Sequence, residues 1–211
     1  MKKRGQWPRL VARVFQEEGV RGVSSMVLSP VFRRILLMVR SIDEPVPEPS
    51  TRVPVVFDLL KEAEVVAYIS FRPDANPSQV RSRWSRGHRC FVARHAGHIV
   101  NASWACTSSA EIAELAREIK LAPDQVFTYD AFTSPHFRNQ KIQQARLAWM
   151  ARYFREAGFS RMVCHVRPEN SASIRALERV GYQPFAVMGY VKLGPWRYEF
   201  PDFHNLKHAC S

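Results

Sequence analysis

The stretch Val126–Tyr182 reads VFTYDAFTSPHFRNQKIQQARLAWMARYFREAGFSRMVCHVRPENSASIRALERVGY. Its patterning predicts a strand over Val126–Ser134, a helix over Gln140–Glu156, a strand over Ser160–Arg167 and a helix over Ser171–Val180. Strand, helix, strand is the unit that makes parallel pairing, because a crossover is long enough to return the chain in the same direction. The turn from such a strand into its helix, here Pro135–Gln143, is where consecutive backbone N–H groups and the helix dipole favour an anion.

On the N-terminal side, the charge pattern and prolines set the boundaries. Residues 1–40 carry nine of the basic side chains, Lys2, Lys3, Arg4, Arg9, Arg13, Arg21, Arg33, Arg34 and Arg40, against Glu17 and Glu18. Trp7, Leu10, Val11, Val14 and Phe15 recur at helical spacing, and a second short helix is expected over Pro30–Val39. These helices suit either the surface of an anionic membrane or a packed appendage, on the main domain or on a second copy in a homodimer. Pro45, Pro47, Pro49 and Pro54 stiffen the next segment into a linker. The expected organisation is a basic helical extension over residues 1–42, a linker over 43–54, a domain over 55–200 and a tail over 201–211.

Within the domain, Val53–Leu59 is expected to be a strand, and Lys61–Phe71 fits strand and helix equally. Asn76 caps a helix with Pro77 at its first position and Gln79 at the capping-box position, running to about Arg86. Cys90–Arg94 and His98–Trp104 flank a His-Ala-Gly turn and form a hairpin. Ser108–Ile119 reads as a helix. Phe185–Lys192 and Trp196–Phe200 flank Gly194-Pro195 as a strand, turn and strand.

Bulk properties narrow the class without choosing a function. The 211 residues, 46% hydrophobic and 24% charged, suffice for one sizeable core. The four cysteines form no CxxC pair, which points to reduced, structural thiols in a cytosolic protein. A net charge of +12 accommodates an anionic membrane, a polyphosphate ligand or an acidic carrier protein. The basic residues do not form a strip interleaved with aromatics, which argues against nucleic acid. The best apolar run, Met26–Val39, is broken by Arg33 and Arg34 and falls short of the roughly 20 residues of a membrane span.

From Val53 to Phe200 the chain resembles the GNAT superfamily of acyl-CoA-dependent N-acyltransferases. Asn170 to Tyr182, NSASIRALERVGY, matches that family's N-x-x-[SA]-…-E-x-x-G-[FY] helix. Asn170 can cap it, and Gly181 supplies a left-handed residue after its end. Pro135, Phe137 and Arg138 match the family's P-x-[YF]-R-x-x-G-x-[GA] loop, while Lys141 and Gln143 stand in place of its glycines.

The resemblance implies a mixed α/β fold: a largely antiparallel twisted sheet with one splayed parallel strand pair, flanked by helices. It implies acetyl-CoA or another acyl-CoA as donor and direct attack of an amine on the thioester. Ala131, Phe132 and Thr133 would hold the acyl and pantetheine part. Arg138, Asn139, Gln140, Lys141, Ile142 and Gln143 would hold the pyrophosphate, with Asn170 and Ser173 beside them. Asp130 is the first candidate for the base, and Tyr129 and His165 are further candidates. The tyrosine that many relatives carry before the last helix's glutamate is here Leu177. Two alternatives stay open: a non-catalytic GNAT-like binding module, or an acyltransferase fed by long-chain acyl-CoA or acyl carrier protein. The acceptor is a small-molecule or protein amine. The expected location is cytoplasmic, with residues 1–40 available to a membrane surface. No metal is expected.

Overall fold

The computed structural model describes residues 31–43 and 49–200. In chain order the elements are β1 (Phe32–Ser41), β2 (Val56–Leu59), α1 (Val65–Phe71), α2 (Pro77–Ser85), β3 (Arg89–His95), β4 (His98–Cys106), β5 (Ser109–Ile112), β6 (Arg117–Lys120), β7 (Gln125–Thr133), α3 (Ile142–Glu156), β8 (Arg161–Val166), α4 (Ser171–Glu178), β9 (Gln183–Leu193) and β10 (Trp196–Phe200). Eight strands form one sheet in the order β10-β9-β1-β8-β7-β4-β3-β2, and β5 and β6 form a separate hairpin. Among the described strands only the β7–β8 pair is parallel, joined by the α3 crossover as the strand-helix-strand pattern requires. This is the expected mixed sheet with one central parallel pair.

Local chemistry explains the elements that were legible. The Asn76 Oδ1 accepts from the Ser78 N–H and Pro77 opens α2, so one otherwise unpaired amide is satisfied at the helix start. The Asn170 Oδ1 accepts from the Ser173 N–H at the start of α4, and Gly181 takes φ +85° just past its end. The β3–β4 hairpin turns at Ala96 and Gly97, both left-handed. Lys61–Phe71 resolves into a 3-10 turn at Glu62–Glu64 followed by α1.

Two expectations are overturned. Pro30–Val39 was expected to be helical, but Phe32–Ser41 is a strand, hydrogen-bonded to β8 from Leu36↔Val166 to Ser41↔Arg161 and to β9 from Phe32↔Val191 to Val39↔Gln183. Ile35 and Leu37 point to one face of the sheet and Met38 to the other, so an apolar run that lacks alternation is buried on both sides. The sheet therefore begins ahead of the proline-rich segment, and residues 32–41 do not belong to a peripheral extension. The helix expected around Trp7–Phe15 lies outside the described residues, as do residues 44–48 of the linker and the tail.

The other reversal is Ser108–Ile119, which is the β5–β6 hairpin rather than a helix. Ala110, Ile112, Leu115 and Ile119 drop into a cluster with Ile35, Leu37, Phe127, Val163 and Met188. Burial against the sheet outweighs the helical preference of this Ala- and Glu-rich segment.

The sheet is covered on both faces. On one side Met38, Phe91, Val126, Met162 and Tyr182 pack against Leu147, Met150 and Phe154 of α3 and Leu177 of α4. On the other, Val92 and Trp104 pack against Tyr68 of α1 and Val80 of α2. The buried face of α3 carries Ile142, Ala145, Leu147, Met150, Ala151 and Phe154; Trp149 and Tyr153 sit only half-buried at its flank, while Arg146 is 1% exposed.

The Arg146 head does not reach water, and its Nε and Nη1 lack hydrogen-bond partners. Burial pushes it down to about 10, and the neighbours that oppose this shift are Cys90, Tyr182 and Tyr68, none of them a carboxylate. A charge enclosed without a counter-ion costs more than its packing returns. Arg146→Met is therefore expected to raise stability by about 1–3 kcal/mol, read as a higher urea midpoint at pH 7. A loss of stability would show that the guanidinium is compensated within the core.

Candidate active site

The site begins where the parallel pair stops. β7 and β8 are in register from Gln125↔Arg161 to Thr128↔Cys164 and no further. Beyond that point β7 stays bonded to β4, out to Asn101↔Thr133, while β8 stays bonded to β1, out to Leu36↔Val166. Each strand is held by its outer neighbour, so the two diverge and open a slot in the sheet.

A bulge shapes the β7 wall of the slot. Trp104 faces Tyr129 and Ala102 faces Phe132, so Ser103 alone opposes both Asp130 and Ala131. Such a bulge takes a residue out of the ladder and leaves backbone groups free for another partner. Asp130 accommodates it with φ +54°, a left-handed conformation that costs about 1 kcal/mol for a residue with a Cβ. That conformation is pinned from α1 and α2. Arg72 Nη1 lies 2.6 Å from Asp130 Oδ1 and Arg83 Nη1 2.5 Å from Oδ2. Arg72 also donates to the Asp130 carbonyl at 3.2 Å. The Arg72 guanidinium lies 5.1 Å from the centre of the Phe132 ring, and that of Arg83 5.1 Å from the ring centres of both Trp104 and Tyr129.

Asp130 is thus a strut for the bulge. Both its oxygens are committed to guanidinium groups, and acting as a base would require giving up two ion pairs. It lies on β7 just beyond the last parallel pair, beside the slot.

The chain leaves β7 through a short 3-10 turn at Pro135–Phe137 and enters α3 with two left-handed residues, Asn139 (φ +62°) and Lys141 (φ +59°). Lys141 therefore adopts the conformation for which the family uses glycine, Cβ notwithstanding. The first hydrogen bond of α3 runs from Ala145 N–H to the Lys141 carbonyl. The N–H groups of Ile142, Gln143 and Gln144 thus have no acceptor within the helix, as at any helix start.

These residues border a cleft of about 740 Å³. Of the residues expected to hold cofactor, Ala131, Phe132, Thr133, Arg138, Asn139, Lys141, Ile142, Gln143, Asn170 and Ser173 all line it. Gln140 does not; its carbonyl accepts instead from the Arg52 N–H at 3.1 Å. That bond helps bring Arg52, which the sequence reading did not single out, to the cleft. Arg179 joins from the end of α4. The four charged side chains on the lining, Arg52, Arg138, Lys141 and Arg179, are all cationic, so the site favours a polyanion.

At the apex of the slot stand Tyr129 and His165, the first residues of β7 and β8 beyond their last pairing. Both rings stack on Phe127, with centroids at 6.4 and 5.7 Å. The Tyr129 hydroxyl is 2.6 Å from His88 Nδ1. Burial, then the charges of Arg86 and Arg83, push His88 down to about 4, so its ring is neutral at physiological pH. Chiefly through burial, the Tyr129 phenol is pushed well above its ordinary value. His165 Nε2 lies 3.3 Å from Glu114 Oε2. Burial alone would raise the Glu114 carboxyl, but the hydrogen bond and charge of His165, with smaller help from its own backbone and Arg167, bring it down to about 2. His88 and Glu114 gave no signal in the sequence, Glu114 because its hairpin read as helix. Leu177 is buried in the α3-side core, so α4 offers no phenol to the slot at that position.

Among the described residues no helix is long and apolar enough to cross a membrane, and no cluster of three or more His, Cys, Asp or Glu side chains is placed to hold a metal ion.

No curated protein matches the sequence. Solved structures share the fold. A GCN5-related N-acetyltransferase from Kribbella flavida superposes with a TM-score of 0.53 at 15% identity, over 80% of this chain and 62% of that one. Another, from Sphaerobacter thermophilus, gives 0.54 at 15% identity, over 81% and 55%. The ribosomal-protein-S18-alanine N-acetyltransferase of Escherichia coli gives 0.50 at 13% identity, over 62% and 78%. The chain spans 22% to 66% of the length of the first three solved chains it matches. The acetyltransferase (GNAT) family profile matches residues 40–182. With that match, the splayed parallel pair and the phosphate-type helix start, the chain belongs to the GNAT acetyltransferase family.

Proposed function

We propose that the protein is an acyl-CoA-dependent N-acyltransferase that uses acetyl-CoA as donor and an amine as acceptor. The observation that carries this reading is the lining of the cationic cleft at the start of α3, which includes Ala131–Thr133 of β7, just past the bulge and beyond the last β7–β8 pair. A molecule with an anionic end and a narrow acyl-bearing end fits such a cleft.

Arg138, Lys141 and the N–H groups at the start of α3 would hold the pyrophosphate, and Arg52 and Arg179 would add positive charge around it. The bulge beside Ala131 would present backbone groups to the pantetheine arm and a donor to the thioester oxygen. The bound donor supplies an activated acyl group whose thiolate is a good leaving group near neutral pH, so the step would not need the acidic phenol that relatives carry at the position of the core residue Leu177. Lys141 contributes an ammonium in place of the closer backbone approach that glycine allows.

Isothermal calorimetry with acetyl-CoA tests the reading. Binding in the range of about 1–100 μM is expected, and Lys141→Glu should weaken it at least about tenfold, roughly 1.4 kcal/mol. No heat at saturating acetyl-CoA would overturn the assignment. Asp130→Asn gives a second check. As a strut, Asp130 should cost about 2 kcal/mol of stability when its charge is removed, and acetyl-CoA affinity should fall with it. A variant that folds and binds like the parent but no longer releases CoA thiol would make Asp130 the base instead.

A further inference from the structure

We propose that β10 is a self-association edge: two copies of the chain pair antiparallel along Trp196–Phe200, about a two-fold axis at Tyr198. The surface is separate from the cleft, whose lining takes no residue from β9 or β10, and the inference does not depend on the acyltransferase reading.

Among the described strands, β10 closes one end of the sheet and has a neighbour on one side only. The direction of its backbone groups follows from the pairing. The Lys192 N–H donates to the Val31 carbonyl at 2.6 Å, toward β1, and Lys192 lies opposite Arg197. In an antiparallel ladder such a pair is one whose two residues do not bond each other, so Arg197 turns its N–H and carbonyl away from β9. Glu199, two residues on, does the same. Both therefore offer backbone hydrogen bonds at the open edge.

The side chains divide by face. Arg197 and Glu199 lie on the side of the β5–β6 hairpin, where Arg197 donates to the Leu115 carbonyl and Glu199 pairs with Arg117 at 3.0 Å. Trp196, Tyr198 and Phe200 lie on the other side, in line with Leu193, Val191 and Gly189 of β9 and, through Val191, with Phe32 of β1. Phe200 stacks on Phe32 with ring centroids at 6.1 Å, but Trp196, Tyr198 and Leu193 are 68%, 59% and 59% exposed. An exposed apolar row beside an unpaired edge invites a further strand.

The sequence of the edge selects that strand. Set antiparallel against itself about Tyr198, WRYEF places Trp196 opposite Phe200, Arg197 opposite Glu199, and Tyr198 opposite its own copy. Aromatic meets aromatic on one face and each charge meets its opposite on the other, which is the self-complementarity that a two-fold interface needs. Arg197 and Glu199, whose backbone groups point outward, are then the residues that exchange hydrogen bonds. An axis at Arg197 or at Glu199 would set a charge against its own copy, so the charges fix the register.

Tyr198 gives the direct test, because in this arrangement it faces itself. Sedimentation of the full chain at about 100 μM is expected to give twice the 24.3 kDa chain mass. Tyr198→Lys and Tyr198→Asp each set like charges at the axis and should each weaken the dimer at least about tenfold, with the far-ultraviolet circular dichroism unchanged. Mixed in equal amounts, the two variants should dimerise again, since lysine then faces aspartate. A dimer that Tyr198→Lys leaves intact, or variants that stay apart when mixed, would overturn the inference. A monomeric parent chain would also overturn it: flotation with phosphatidylserine vesicles that is lost in Trp196→Ser would give the face to a lipid surface, and no such loss would leave it to other residues of the same chain.

Discussion

The structure depends on a pairing that is deliberately short. Four residues of β7 meet four of β8 in parallel, and past Thr128 and Cys164 each strand follows a different neighbour. Everything with chemical character is arranged around that parting. The bulge lies on β7, His165 follows the last pairing on β8, and the cationic cleft takes Ala131–Thr133 beside the bulge into its lining. Because the strands are buried on both faces by α3, α4, α1, α2 and the β5–β6 hairpin, the gap is set by the sheet's own hydrogen bonding rather than by loops, which gives it a rigid frame.

The placement of β1 explains why that frame holds. Phe32–Ser41 comes first among the described strands yet lies between β8 and β9, which come near the end. It binds β8 along its length and so draws it away from β7. Gly189 of β9 shows how closely these strands approach: a Cβ there would fall 2.3 Å from the Arg33 carbonyl. A chain lacking β1 would leave β8 without its outer partner, and nothing would then hold the slot open.

What the sequence disclosed follows the range of the interactions involved. The α4 caps at Asn170 and Gly181, the Asn76-Pro77 start of α2 and the turn at Ala96-Gly97 rest on contacts within a few residues, and they were readable. So were most of the cleft residues, since they fall on two motif segments. β1 was misread because Ile35–Val39 is apolar throughout, and a run buried on both faces carries no period. The β5–β6 hairpin was misread because Ala and Glu favour a helix locally, while its four apolar side chains answer to a core assembled from β1, β7, β8 and β9. The same limit hid the partners of the site. His88, Glu114, Arg72 and Arg83 meet their partners 40 to 60 positions away, and both ion pairs of Asp130 come from that distance.

The charges separate into two groups with different physics. Arg72 and Arg83 neutralise Asp130 and stiffen the bulge, whereas Arg52, Arg138, Lys141 and Arg179 face an open cleft without acidic side chains on its lining. The second group gathers part of the chain's net charge of +12 at one cleft. The central claim is that cleft and slot form a single binding path, and the most direct measurement is backbone amide mapping by NMR during a titration with CoA. The account predicts that the amides of Ala131–Thr133 and Ile142–Gln144 shift together along one binding curve, with Tyr129 and His165 following when acetyl-CoA replaces CoA. Shifts confined to surface arginines, with these two backbone segments unmoved, would contradict it.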